Sequence, residues 1–355
     1  MTGLLTDLMH ERADRLDRPE VDLAAITRDG DRVVRRRRTA VVGGVAAASV
    51  LAVVTGAALF GGGRSADSDV ASTGPVGQVD LLSWTSGRVL HTGSGATVEL
   101  DADVRAWVWV GDSVVYTDSS DRVHLWQGGT ERVIGRAMPQ GDLAELVTDS
   151  TFVAWVDTDR RLVRYDLSDG TLVQAPSMPG NRLRVTAIDG ATVYAADSDG
   201  VYAWQPSDPG AYRTLGTDPR SVVLDAENGT LVRTAPGRTV VLERDGDTLL
   251  VAAREFADLS PDAGLLSVED GDRGVVVDTD SGLERALDHG HEWAIGYEWL
   301  DPTTMAVLAF DGIDDEDSMD GYLLTCDAVS GACAEGEHLG ALGQWQLPTG
   351  IHFGP

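Results

Sequence analysis

The sequence predicts an all-β fold, a seven-bladed β-propeller with six and eight blades as the neighbouring alternatives, preceded by one transmembrane α-helix and a short helical tail. Three observations predict it. A short apolar run recurs seven times, each run ends in a turn with its own residue signature, and an uncharged stretch follows four consecutive arginines.

Residues 1–38 read as a cytoplasmic, Arg-rich tail. Leu4, Leu5, Leu8 and Met9 recur at helical spacing, Pro19 breaks that helix, and a second helical stretch begins near Asp22. Residues 39–60, from Thr39 to Phe60, carry no charge and are long enough to cross a bilayer as one helix, which takes about 20 apolar residues. Arg35, Arg36, Arg37 and Arg38 stand directly before them, and Asp67 and Asp69 follow. The positive-inside rule then puts the N-terminus in the cytoplasm and everything after Phe60 outside the cell membrane. A cleavable signal peptide would have a shorter n-region and an apolar core of about 7–15 residues, so an uncleaved anchor is the better reading. Residues 61–77, headed by Gly61-Gly-Gly63, are a flexible linker.

From residue 78 to 355 the chain reads strand, turn, strand. Thr92, Trp126, Tyr165, Trp204, Leu242, Val277 and Cys326 share one column, at steps of 34, 39, 39, 38, 35 and 49 residues. An Arg leads five of the runs, at Arg88, Arg122, Arg161, Arg238 and Arg273. It either covers a seam between blades, pairs with a turn Asp, or is a solvated turn residue. After the column come turns such as Asp166-Leu-Ser-Asp-Gly170, Asp278-Thr-Asp-Ser-Gly282 and Asp327-Ala-Val-Ser-Gly331, whose Gly supplies the positive φ that closes a hairpin. A period near 40 with three to four strands per unit is that of a propeller, whose blades bury their faces only by stacking around an axis. The first unit, 78–100, is short of an innermost strand. Leu342-Gly-Gln-Trp-Gln-Leu-Pro348 is the segment available to supply it and close the ring.

Charge restricts the partners. Residues 1–38 are near balance, with nine Arg against eight Asp and Glu, whereas the remainder holds 19 Arg against 49 acidic residues. There is no Lys. Such a domain repels phosphate backbones, so no nucleic acid is expected as a partner.

Candidate chemistry is sparse. The one unusually long step holds the acidic loop 311–321, in which Asp311, Asp314, Asp315, Asp317 and Asp320 are candidate Ca²⁺ ligands. An EF-hand register fails there, because counting from Asp315 reaches Asp317 and then Met319; a solvated insertion is the plainer reading. His289 and His291 form the His cluster, two of the ligands a metal would need. Cys326 and Cys333 flank a turn-like segment, so a hairpin there brings them within disulfide reach. That bond suits an oxidising compartment. Trp107, Trp109, Trp126, Trp155, Trp204, Trp293 and Trp299 are spaced for the seams between blades. No Ser-His-Asp grouping, nucleophile elbow or phosphate loop can be assembled, and no cofactor other than Ca²⁺ is indicated.

The repeating run and its turns resemble the broad WD40-like and quinoprotein-like propeller families over residues 78–355. The Gly-His and Trp-Asp signatures of WD40 blades are missing, so the resemblance implies architecture and no ligand. The whole layout is similar to single-pass actinobacterial membrane proteins with an Arg-rich tail and an extracytoplasmic propeller. The expectation is a membrane-anchored, non-catalytic module that binds or senses a protein, peptide or glycan outside the cell, with the tail available to a cytosolic protein. The alternative is an extracytoplasmic hydrolase or lyase with its site in the central channel.

Overall fold

A computed structural model describes residues 82–352 apart from 142, 150, 208–211, 236–238, 252–255, 272 and 312–318. The expected tail, membrane helix and linker at 1–77 lie outside the described residues, as do Leu81 and Arg238.

Seven small antiparallel sheets follow one another along the chain. Blade 1 holds β1 (Trp84–Ser86), β2 (Val89–His91) and β3 (Thr97–Glu99). Blade 2 holds β4 (Val104–Val110), β5 (Ser113–Asp118), β6 (Arg122–Gln127) and β7 (Thr130–Arg136). Blade 3 holds β8 (Leu146–Asp149), β9 (Phe152–Val156), β10 (Leu162–Asp166) and β11 (Leu172–Gln174). Blade 4 holds β12 (Arg184–Asp189), β13 (Thr192–Ala196), β14 (Val201–Trp204) and β15 (Tyr212–Gly216). Blade 5 holds β16 (Val223–Glu227), β17 (Thr230–Ala235), β18 (Thr239–Arg244) and β19 (Asp247–Val251). Blade 6 holds β20 (Ala257–Leu259), β21 (Leu265–Asp270), β22 (Arg273–Asp278) and β23 (Glu284–Ala286). Blade 7 holds β24 (Trp293–Asp301), β25 (Thr304–Asp311), β26 (Asp320–Asp327) and β27 (Cys333–Ala341).

The repeated column falls in the third strand of every four-stranded blade, with Thr92 just past β2. A blade covered on both faces buries its middle strands in runs rather than alternately, as β9, β13 and β25 show. β5 is buried at all six positions. Hydrophobic clusters occupy the seams one by one. Val108 and Val115 meet Leu146 and Trp155 between blades 2 and 3, and Val232 and Leu242 meet Leu259 and Leu266 between blades 5 and 6. Ile295, Leu308 and Phe310 of blade 7 pack with Trp345, Leu347 and half-buried Trp84, which forms the seventh seam. An open stack of seven sheets would have only six seams, so the seventh marks a closed ring.

Closure runs through the C-terminal segment, as the short first unit predicts. Thr85 and Gln346 exchange two backbone hydrogen bonds of 2.9 Å, which sets Gln346 beside β1 as the innermost strand of blade 1. The segment then crosses to its neighbours. The Trp107 indole N–H donates to the Gln346 carbonyl at 3.0 Å, Gly350 N–H donates to Trp107 O at 2.8 Å, and Gly350 O accepts Glu145 N–H at 2.8 Å. Trp107, Trp155, Trp204 and Trp299 are buried in the seams, and Trp126 and Trp293 are half-buried.

The hairpin turns behave as their residues require. Gly170, Gly282 and Gly331 take φ of +73°, +71° and +81°. Their N–H groups donate to Asp166, Asp278 and Asp327 carbonyls at 2.9, 2.8 and 2.7 Å. Asn228-Gly229 is a two-residue turn with φ of +50° and +77°, the hairpin geometry that Asn-Gly favours. The repeated arginines have no common role: Arg122 binds the turn carboxylate of Asp118 at 2.7 Å, whereas Arg88 binds Glu99 on its own blade. Cys326 and Cys333 face each other across β26 and β27 and form a disulfide with Cα atoms 4.0 Å apart.

Gly350 has φ of +67°, and a Cβ there would lie 2.0 Å from the Leu146 carbonyl oxygen. Gly350→Ala should therefore destabilise the propeller by about 2–4 kcal/mol. Urea unfolding of the full chain followed by Trp fluorescence checks this, because all nine Trp lie beyond residue 83. An unchanged midpoint contradicts the closure geometry.

Candidate functional site

The innermost strands bring six carboxylates towards the axis. They are Asp149 at the end of β8, Asp189 at the end of β12, Asp225 and Glu227 on β16, Asp258 on β20 and Glu298 on β24. Their mutual influence shows where they point. Glu227 of blade 5 feels Asp149 of blade 3 and Glu298 of blade 7, each two blades away. Glu298 in turn feels Asp225. Blades that do not touch share only the axis, so these side chains converge on the channel. They keep some accessible surface along it, yet protein surrounds them on the remaining sides.

Four of the six have partners. Asp149 accepts the Gly190 N–H, and Asp189 accepts the Gly229 N–H at 2.9 Å, each in the first turn of the next blade. Asp225 accepts Leu259 N–H at 2.6 Å and Ala226 N–H at 2.8 Å. Asp225 and Asp258 also hydrogen-bond each other, which requires a shared proton. Burial pushes both carboxyls up, and for Asp258 the neighbouring Asp225 charge adds to the effect. Glu227 and Glu298 differ: among the described residues neither accepts a hydrogen bond. Burial, followed by the charge of Asp225, pushes each up to about 8. Like charges confined in a low-dielectric space retain protons that free carboxylates release.

This group can attract and hold a positive charge. Among the described residues no three His, Cys, Asp or Glu side chains converge as a metal site requires, and none of the six carboxylates bonds a Ser, Cys or His. The carboxylates had a sequence signal that was passed over. Val222-Val-Leu-Asp-Ala-Glu227, Phe256-Ala-Asp-Leu-Ser260 and Ile295-Gly-Tyr-Glu-Trp-Leu300 each place an acid inside the apolar first run of a unit.

The structure joins two of the sequence candidates at the seam of blades 6 and 7. His291 lies 3.1 Å from Asp311. The Tyr322 ring stacks on His291 at 4.6 Å and on His338 at 4.8 Å, and His338 lies 3.6 Å from Asp320. Asp311 and Asp320 face each other at the base of the hairpin. The result is two His–Asp pairs separated by an aromatic ring. His289 lines a depression of about 430 Å³ with Arg273, Asp288 and Glu292. Its pKa is lowered by burial and then by His291. Asp314, Asp315 and Asp317 lie outside the described residues.

A second polar network sits in blade 2. His124 is held between Glu131 at 2.8 Å and Asp118 at 3.0 Å, under the Tyr116 ring. Burial pushes Asp118 up, but the Arg122 N–H, His124, the Arg122 guanidinium and the Ser120 N–H outweigh it and hold the carboxyl at about 2. The network is fully satisfied, so we read it as structural.

No family model and no curated relative matches the chain. Solved structures do. The chain is similar to the WD40 β-propeller domain of Doa1, at 14% identity and a TM-score of 0.47 over 69% of this chain and 85% of that one. It is similar to the computationally designed Ika8 protein, at 15% identity and 0.46 over 72% and 83%. YCF48 bound to D1 peptide matches at 13% identity and 0.44 over 65% and 81%. The likeness is one of fold alone.

The raised carboxyls set a pH dependence. Glu227 and Glu298 rise from about 4.3 in an unfolded chain to about 8 in the folded one. Between those values the folded state binds more protons, so their contribution is complete below about pH 4 and is lost as pH rises through about 8. The urea midpoint should fall from pH 6 to pH 9, and Glu298→Gln should flatten the fall. An equal slope in the variant contradicts the assignment.

Proposed function

We propose that this chain is a membrane-anchored, extracytoplasmic propeller that binds a protein or peptide, and that the channel carboxylates receive a cationic group of the ligand. The observation that carries the reading is the pair Glu227 and Glu298, whose side chains have no hydrogen-bond donor among the described residues. Each keeps its proton while the channel is empty of charge partners, and a guanidinium or ammonium group supplies the hydrogen bonds and the charge that let it ionise. That chemistry favours a protein or peptide over a neutral glycan. The anchor rests on Arg35–Arg38 followed by the uncharged stretch 39–60. The outside location rests on that order and on the Cys326–Cys333 disulfide. The N-terminal tail is the segment a cytosolic partner would reach. The opposite hairpin of blade 7, with Asp311 and Asp320 at its base, remains the candidate place for Ca²⁺.

A second reading has its own support. A carboxyl that keeps its proton near pH 8 is suited to general-acid catalysis, so an extracytoplasmic hydrolase or lyase acting in the channel is the alternative. In that reading another of the channel carboxyls serves as the base or nucleophile.

An Arg-containing peptide separates the two. Glu227→Gln with Glu298→Gln in the full-length chain should weaken its binding by about tenfold or more, about 1.4 kcal/mol. Glu335→Gln with Glu337→Gln on β27 should leave binding unchanged and so controls for the acidic surface. Equal loss in both pairs sinks the channel reading, and turnover of a glycan or ester that Glu298→Gln abolishes supports the enzyme.

Topology has a separate test. Protease added to intact cells should digest the propeller and spare residues 1–38. Digestion of the N-terminal tail overturns the orientation.

A further inference from the structure

Arg105 and Arg184 occupy the same place in the repeat. Each lies five residues before the end of its innermost strand, β4 ending at Val110 and β12 ending at Asp189. Their surroundings differ. Arg105 is matched by two carboxylates, Asp121 at 2.8 Å in its own blade and Glu145 at 2.9 Å in the next. Glu145 is almost fully buried and also accepts the Thr117 hydroxyl at 2.8 Å. Arg105 thus has its charge met by carboxylates on both sides of its seam.

Arg184 has no such match. Among the described residues its polar contact is one hydrogen bond of 3.4 Å to the Pro219 carbonyl. It is partly buried, and burial pushes its guanidinium down. The repeat explains the deficit. Glu145 stands four residues before the end of β8, and the same step back from the end of β16 reaches Val223, which is wholly buried. Arg184 faces that valine: it lies opposite Ala196 in the ladder of β12 and β13, and Ala196 packs in one cluster with Val223. Arg233, opposite Val223 in its own ladder, already has Glu243 at 3.3 Å.

We propose that Arg184, at the seam between the innermost strands of blades 4 and 5, binds a carboxylate group supplied by a ligand, in the role that Glu145 plays for Arg105. The class of ligand is an acidic side chain or terminal carboxylate of a peptide, held by charge-assisted hydrogen bonds to the guanidinium. The proposal is independent of the channel carboxylates. They attract cations, whereas this seam selects an anion.

The test uses the full-length chain and two labelled peptides, acetyl-Gly-Gly-Glu-Gly-Gly-amide and its Gln counterpart, followed by fluorescence anisotropy. The Glu peptide should bind about tenfold more tightly than the Gln peptide, and Arg184→Gln should erase the difference. Val223→Glu supplies the carboxylate from within. It should also erase the difference while raising the thermal midpoint above that of Val223→Gln. If Val223→Glu does not fold, the Arg184→Gln arm decides alone. Equal binding of both peptides by the unmodified chain, or a preference that survives Arg184→Gln, overturns the proposal.

Discussion

Two backbone hydrogen bonds between Thr85 and Gln346 hold the structure to one shape. Each blade is too thin to bury its own faces, so it depends on a neighbour at either side. Six seams form between consecutive blades, but the seventh needs a strand from one end of the domain to meet the other. The Gln346 pairing provides it, and the apolar side chains beside it, Trp345 and Leu347, complete the last cluster. The loop-closure entropy of joining residues so far apart grows only slowly with separation, whereas the buried seam adds apolar area in proportion to its size. Closure is therefore favoured once the seven blades have stacked.

Closure also creates the channel and its electrostatics. Asp149, Asp189, Asp225, Glu227, Asp258 and Glu298 come from five blades and influence one another only because the ring brings their strands to a common axis. The distribution is uneven. The C-terminal segment covers the start of the innermost strands of blades 2 and 3 through Gly350 and through Ile351, which bridges to Ala144. The acids belong to blades 3 to 7. One molecule thus has a covered sector and a charged sector around the same axis.

The fold was largely legible in the sequence because it is periodic. The column from Thr92 to Cys326 located every third strand, the Gly after each turn located the hairpins, and the short first unit pointed to the segment around Trp345. The disulfide was legible because Cys326 and Cys333 bracket one turn. The site was much less so. A carboxylate in an innermost strand differs from a solvated one only by the company it keeps across the axis, and that company comes from residues about 35 to 150 positions away in the chain. Asp225 and Glu298 show this: each reads locally as a lone polar residue in an apolar run. The sequence drew attention instead to the dense acidic loop at 311–321. Its described members, Asp311 and Asp320, stand at the base of a hairpin against His291 and His338.

Native-state hydrogen exchange at the closure tests the account most directly. Amides of Thr85, Gln346 and Gly350 should exchange only through global unfolding, with the same opening free energy as the buried amides of β5. Exchange at these three sites through a separate opening several kcal/mol below the global one, with β5 still protected, would mean that the ring stands without its closure and would contradict it.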